Sequence, residues 1–233
     1  MLNSSFKIET PKSLANRIAE RLREAITGGE FALGAMIPEE TLASSFGVSR
    51  TPVREALGQL QLQGLVVIRP QRGSYVFEPS ADDIAAICEF RCVLEPRAAE
   101  LSYAHDREGT VTTLQAAIAE MEAARSTRDA VRYGRADTHL HEAFFNHCGN
   151  PYMQAAYATA ATKIAAMRTY LSAPTDVLHN DGFQQHSQLL ALFSAGDMAG
   201  FERLMRHHVT GTRDNYVRSL HNLKAAKGEI TAK

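Results

Sequence analysis

Two groups of residues in this chain have the types and spacings that chemistry requires. Arg50 and Arg54 are four apart, so a helix containing both presents them on one face, with Ser49 and Thr51 beside them. Guanidinium groups next to hydroxyls and a helix N-terminus suit phosphate oxygens and guanine edges. Asp137 and His141 are also i and i+4, so their side chains leave one helical face together and can converge on one ion.

The arginines need a helix that starts at the right residue, and the surrounding sequence supplies one. Gly47 can close a preceding helix, Ser49 can cap the next by accepting from a first-turn N–H, and Pro52 falls where a missing N–H costs little. The helix is predicted to begin at Ser49. Val53, Ala56, Leu57 and Leu60 then form the buried stripe, with Arg50, Arg54 and Gln61 on the opposite side. Upstream, Ser13 can cap a helix carrying Leu14, Ile18, Leu22 and Ile26, which Gly28-Gly29 stops. A short helix follows from near Pro38, with Leu42, Ala43 and Phe46 inward. Downstream of Gly64, Leu65-Val66-Val67-Ile68 and Tyr75-Val76-Phe77 are strand-like runs joined by a turn-rich tip that carries Arg69 and Arg72. Together these elements predict a winged helix-turn-helix.

The chain resembles the GntR family of bacterial transcription regulators over essentially its whole length. The likeness rests on Ala25-Ile26 with Gly28, on Glu40-x-Leu42-Ala43, on the run Gly47 through Leu57, and on Gly64-Leu65 with Arg72-Gly73. It implies that Arg50 and Arg54 read bases in the major groove, that Thr51 helps hold the DNA backbone, and that Gly73 approaches the minor groove. Glu40 stands where some FadR-type members have a phosphate-contacting arginine, so that contact is not carried over.

Composition is compatible with this. The 233 residues allow one large or two modest domains, and 45% hydrophobic content supplies a core. A net charge of −1 argues against a general polyanion binder. The charge is uneven, however: Arg50, Arg54, Arg69 and Arg72 face only Glu55 across that stretch, and no aspartate precedes Asp82. A small basic face suffices when two copies act together. No apolar run of about 18 residues could span a bilayer, and no signal-peptide layout is present, so the chain is expected in the cytoplasm. Cys88, Cys92 and Cys148 form no C-x-x-C pair and predict no disulfide framework.

A boundary is expected near Glu78-Pro79-Ser80, giving domains at 1–78 and 79–233, with Ser80 and Asp83 forming a capping box for the next helix. Helices are predicted at roughly 80–105, 109–127, 129–149, 150–172, 178–195 and 197–223. The fold class is therefore mainly α: a winged helix-turn-helix followed by an all-helical bundle. Six helices after a winged head resemble the FCD effector domain of the FadR subfamily in its shorter, VanR-like form.

That resemblance implies a metal set. Asp137, His141, His186 and His208 match, one by one, the Asp and three His that hold a divalent cation in many FCD domains. Such borderline ligands suit zinc, nickel or manganese, with zinc favoured by affinity order. His139 is turned about 200° from its neighbours two positions away and should face outward, as should His207, about 100° from His208. His105, His147, His179 and His221 are expected to be surface or structural residues. Four protein ligands leave coordination positions for a small carboxylate. Arg91 matches a position that often faces this cavity, or it pairs with Glu95 at i+4 as an ordinary intrahelical ion pair. Tyr133, one turn before Asp137, lines the pocket or packs in the core.

The resulting expectation is a homodimeric regulator, most commonly a repressor in this family, that binds a palindromic operator on double-stranded DNA and senses a small organic acid beside the metal. Two alternatives have distinct signatures. A metal-responsive regulator would bind its operator in a metal-dependent way without organic ligand, and a metalloenzyme with a DNA-binding head would turn over esters or phosphoesters.

Overall fold

Ser13 accepts a hydrogen bond from the Asn16 N–H at 3.2 Å and opens α1, Leu14–Thr27. The computed structural model describes residues 13–176 and 180–226; His179 and the end of the chain after Ala226 lie outside the described residues. The buried face of α1 consists of Ala15, Ile18, Ala19, Leu22, Ala25 and Ile26. Leu14 is 45% exposed, contrary to expectation. A strict four-residue spacing drifts around a 3.6-residue turn, and Leu14 ends up roughly 120° from Ile26.

Then come β1 (Met36–Ile37), α2 (Glu39–Phe46), α3 (Arg50–Leu62), β2 (Val66–Arg69) and β3 (Gly73–Val76). Gly47 closes α2 in the left-handed conformation at φ 66°. Val53, Ala56, Leu57 and Leu60 of α3 are fully buried, as their spacing requires. The wing is antiparallel, with Arg69 opposite Gly73. Gly73 has φ 104°, a conformation that side-chain-bearing residues rarely adopt. The two-residue β1, too short to carry a period, adds a third strand by pairing Met36 with Tyr75, giving the order β1-β3-β2.

The capping box at Ser80 and Asp83 forms as expected and starts α4, Ala81–Ser126. This rod bends at Asp106 (φ −149°, ψ 72°), so the two helices predicted on either side of that point meet end to end. The bend is held locally. Asp106 accepts from the Gly109 N–H at 2.9 Å and meets His147 Nδ1 at 2.6 Å. The remaining elements are α5 (Ala130–Asn146), α6 (Pro151–Met167), a π-helical turn (Arg168–Ser172), α7 (Ala173–Asp176), α8 (Asp181–Ala195) and α9 (Met198–Ala226). The helix was expected to stop at Ala173-Pro174-Thr175. It instead widens at Arg168 and runs directly into α7, which contains Pro174.

Helix α5 lies against α4, and α9 and α8 pack on the same rod, with Phe144, Phe193 and Phe201 interlocked between them. The winged head rests on this bundle. Thr169 of the π-helical turn donates to the Thr27 carbonyl at the end of α1 at 2.8 Å, and the Lys163 ammonium sits 5.4 Å from the centre of the Phe77 ring. Among the described residues no helix is long and apolar enough to cross a membrane.

Candidate nucleic-acid face and metal-ligating cluster

Ser49 takes the N-cap position of α3 with extended backbone. Its hydroxyl makes no capping hydrogen bond, which corrects the expectation that it would. The first-turn N–H groups are thus not covered by that side chain. Arg50 and Arg54 project from α3 into solvent, 51% and 64% exposed. Each meets a carboxylate of α2: Arg50 pairs with Glu40, and Arg54 Nε lies 3.0 Å from Glu39 Oε2. Glu39 also accepts from Ser74 Oγ in the wing at 2.7 Å, and this hydrogen bond, with Arg54 assisting against partial burial, holds its carboxyl below the usual range. One carboxylate therefore fastens Arg54 to both α2 and β3. Thr51 and Arg72 are exposed and Gly73 is half-buried at the wing tip, and Arg54 and Gly73 line one cavity together with Glu39, Glu40 and Ser74.

The second site is the inverse in burial. His141 from α5, His186 from α8 and His208 from α9 are 0%, 0% and 6% exposed, and their ligating atoms lie within 4.8 Å of one another. Asp137 Oδ1 adjoins two of them, 3.2 Å from His141 Nε2 and 3.6 Å from His186 Nε2. Outer partners set the rings. His141 Nδ1 meets Glu95 Oε2 at 2.8 Å and His208 Nδ1 meets Gln185 Oε1 at 2.8 Å, which leaves the Nε2 atom of each ring for the cluster. His141 Nε2, Asp137 Oδ1 and both nitrogens of His186 make no hydrogen bond among the described residues, although all are buried. Burial pushes His186 down to about 4 against the raising pull of Asp137, and burial with the neighbouring imidazoles depresses His208 as well. Burial acts to raise Asp137, but Arg168 and His186 outweigh it and hold the carboxyl well below its usual value. Neutral imidazoles beside an ionised carboxylate are the forms that ligate a divalent metal.

His139 and His207 are exposed, as their rotation predicts, and His147 is a structural residue at the α4 bend. Cys88 and Cys92 are free thiols, the first buried and the second half-buried. Tyr133 is fully buried among the apolar core residues. Arg91 bonds Glu95 at 2.7 Å, the intrahelical alternative, yet the pair is only 1% and 0% exposed and the Arg91 Nη1 makes no hydrogen bond among the described residues. It therefore belongs to the buried site and differs from an ordinary surface pair. Burial opposes ionisation of Glu95, and Arg91, His141 and Arg168 overcome it, keeping this carboxyl well below the usual range.

Sequence reasoning missed Arg168. This residue opens the π-helical turn, is 1% exposed, and places Nε 3.4 Å from Asp137 Oδ1 and Nη2 3.8 Å from Glu95 Oε1. A signal was present. Arg168 falls four after Ile164 on the stripe that also buries Leu171, and a charge on an apolar stripe is unexpected unless it has a task.

A family model for bacterial regulatory proteins of the gntR family matches residues 14–76, and one for the FCD domain matches residues 86–211. The chain belongs to the GntR family and carries an FCD domain. It is 33% identical over 135 residues to the uncharacterized HTH-type transcriptional regulator YdhC of Bacillus subtilis, spanning 58% of each chain. It is 25% identical over 208 residues, 89% of this chain and 91% of the other, to a probable D-xylose utilization operon transcriptional repressor of Paenarthrobacter nicotinovorans. The solved structure of a GntR transcriptional regulator from Rhodococcus sp. RHA1 superposes with a TM-score of 0.77 over 87% of this chain and 97% of that one; at 22% identity the likeness is one of fold. Family and relatives are transcription regulators and not enzymes, which closes the metalloenzyme alternative. This GntR protein is a transcription regulator.

Proposed function

We propose that this regulator is a homodimeric repressor that binds a palindromic operator through α3 and the wing, holds one divalent ion per chain with Asp137, His141, His186 and His208, and releases DNA when a small organic acid binds beside that ion. The observation that supports the proposal is the gathering of three buried histidines from three helices, two of them against Asp137, with His141 Nε2, Asp137 Oδ1 and both His186 nitrogens making no hydrogen bond among the described residues. The related D-xylose operon protein is named a repressor, which supports that sign of regulation.

When bound, the ion supplies a Lewis-acid position for a carboxylate oxygen. The protein does the rest. Glu95 and Gln185 orient two imidazoles, and Arg91 and Arg168 place guanidinium groups at the same site. Arg168 and Thr169 are consecutive in the π-helical turn. The first faces Asp137 and the second hydrogen-bonds the end of α1, so a shift of this turn reaches the head across one peptide unit. On the DNA side, Arg50 and Arg54 exchange their carboxylate partners for base edges and phosphates.

The test is operator affinity of the zinc-loaded full chain at fixed salt across a panel of organic acids. One member should weaken operator binding by the factor by which operator weakens that acid, a coupling of about 1–3 kcal/mol. A panel that leaves operator affinity unchanged, with affinity that tracks zinc alone, would replace this proposal with a metal-responsive regulator.

A further inference from the structure

The charges buried around the histidines balance without a metal and fail to balance with one. Arg91 and Arg168 are cationic; Glu95 and Asp137 are anionic; ligating imidazoles are neutral. Two positive and two negative groups sum to zero. A divalent ion among His141, His186 and His208 then leaves a surplus of two positive charges where every one of these side chains is less than a tenth exposed, and uncompensated buried charge is strongly unfavourable.

The hydrogen-bond inventory has the same sign. Arg91 Nη1, both Nη atoms of Arg168 and the hydroxyls of Tyr157 and Tyr216 are buried and make no hydrogen bond among the described residues. All five can donate. Arg91 already spends its Nε on Glu95 at 2.7 Å, whereas Arg168 approaches Asp137 and Glu95 only at 3.4 and 3.8 Å and keeps a whole fork unsatisfied. A planar fork of this kind matches a carboxylate or a phosphate in bidentate fashion.

We infer that the ligand of this site is a small dianion, with one negative group at the metal and the other on the Arg168 guanidinium. A monocarboxylate compensates half the surplus and leaves the Arg168 fork unmet. The inference rests on the metal reading proposed above and names the ligand class that reading requires. A dicarboxylate and a phosphate-type oxyanion share the chemistry.

The experiment is calorimetric titration of the zinc-loaded full chain with malonate, succinate and glutarate against propionate, butyrate and valerate, with hydrogen phosphate and sulfate as a further arm. At least one dianion should bind roughly 10- to 100-fold tighter than the chain-matched monocarboxylates, the value of one charged hydrogen-bonded contact. Preference for a dicarboxylate or for phosphate identifies which source of dianion the site takes. Arg168→Gln should erase the preference while elemental analysis still finds zinc. Should the glutamine variant fail to fold, Arg168→Lys keeps the charge without the fork and should weaken the dianion while leaving monocarboxylates as they were. Equal affinity for mono- and dianions in zinc-containing protein, no binding by any dianion, or a preference that survives loss of the Arg168 fork would each overturn the inference while leaving the metal reading intact. A wild-type chain that takes up no zinc strikes the metal reading instead, and the charge surplus disappears with it.

Discussion

The proposed DNA-reading face and the histidine cluster are both built on Arg–Glu pairs, in opposite environments. Arg54 and Glu39 meet at 3.0 Å with side chains 64% and 22% exposed; Arg91 and Glu95 meet at 2.7 Å with 1% and 0% exposed. In solvent such a pair contributes about 0–1 kcal/mol, so the carboxylates of α2 hold Arg50 and Arg54 only weakly, and on the proposed reading phosphate displaces them. In the interior, removing one partner strands a charge, and the groups stay committed to one another. The same pair of residue types is therefore loosely held in one region of the molecule and tightly committed in the other.

The largest effect is expected at Glu95. Glu95→Gln leaves Arg91 buried without its anion and should cost about 3–5 kcal/mol of folding stability by urea denaturation; a loss below 1 kcal/mol would erase the contrast between the two regions. Next, Arg54→Ala should lose about 1–3 kcal/mol of discrimination at one operator position while the fold persists, read by binding to single-base operator variants. An intermediate effect is expected at the joint between the regions. Thr169→Val removes the hydrogen bond to the Thr27 carbonyl and should cost about 0.5–1.5 kcal/mol of stability, and it should reduce the response of operator binding to ligand more than operator binding itself. The smallest effect belongs to Glu40→Gln, which frees Arg50 and should raise DNA affinity by less than about 1 kcal/mol at low salt, fading as salt screens the pair.

The two regions also differ in how far they were legible. The reading face is contiguous in sequence: Gly47, the start of α3 and the Val53-Ala56-Leu57-Leu60 stripe lie within fourteen residues, and local rules place them. Its ion pairs were not visible, because the turn between α2 and α3 decides which carboxylate meets which arginine. The cluster draws on α4, α5, the π-helical turn, α8 and α9, and only the Asp137–His141 pair is local. His186 and His208 came from family likeness. Glu95 was noticed only as a partner of Arg91, and Arg168 was overlooked because a widened turn lies outside the 3.6-residue pattern used to assign inward faces. Leu14 shows the same weakness in miniature, since a spacing of four tolerated over three turns rotates a residue off the buried face.

The central claim is that His141, His186 and His208, with Asp137, hold a divalent metal. Anomalous diffraction at the zinc edge from crystals of zinc-supplemented full chain tests it directly, with a His186→Ala/His208→Ala double variant as control. The account predicts one peak per chain within about 2.0–2.2 Å of the histidine nitrogens and an Asp137 oxygen, absent from the double variant. No peak at that cluster, or an equal peak there in the double variant, would contradict it.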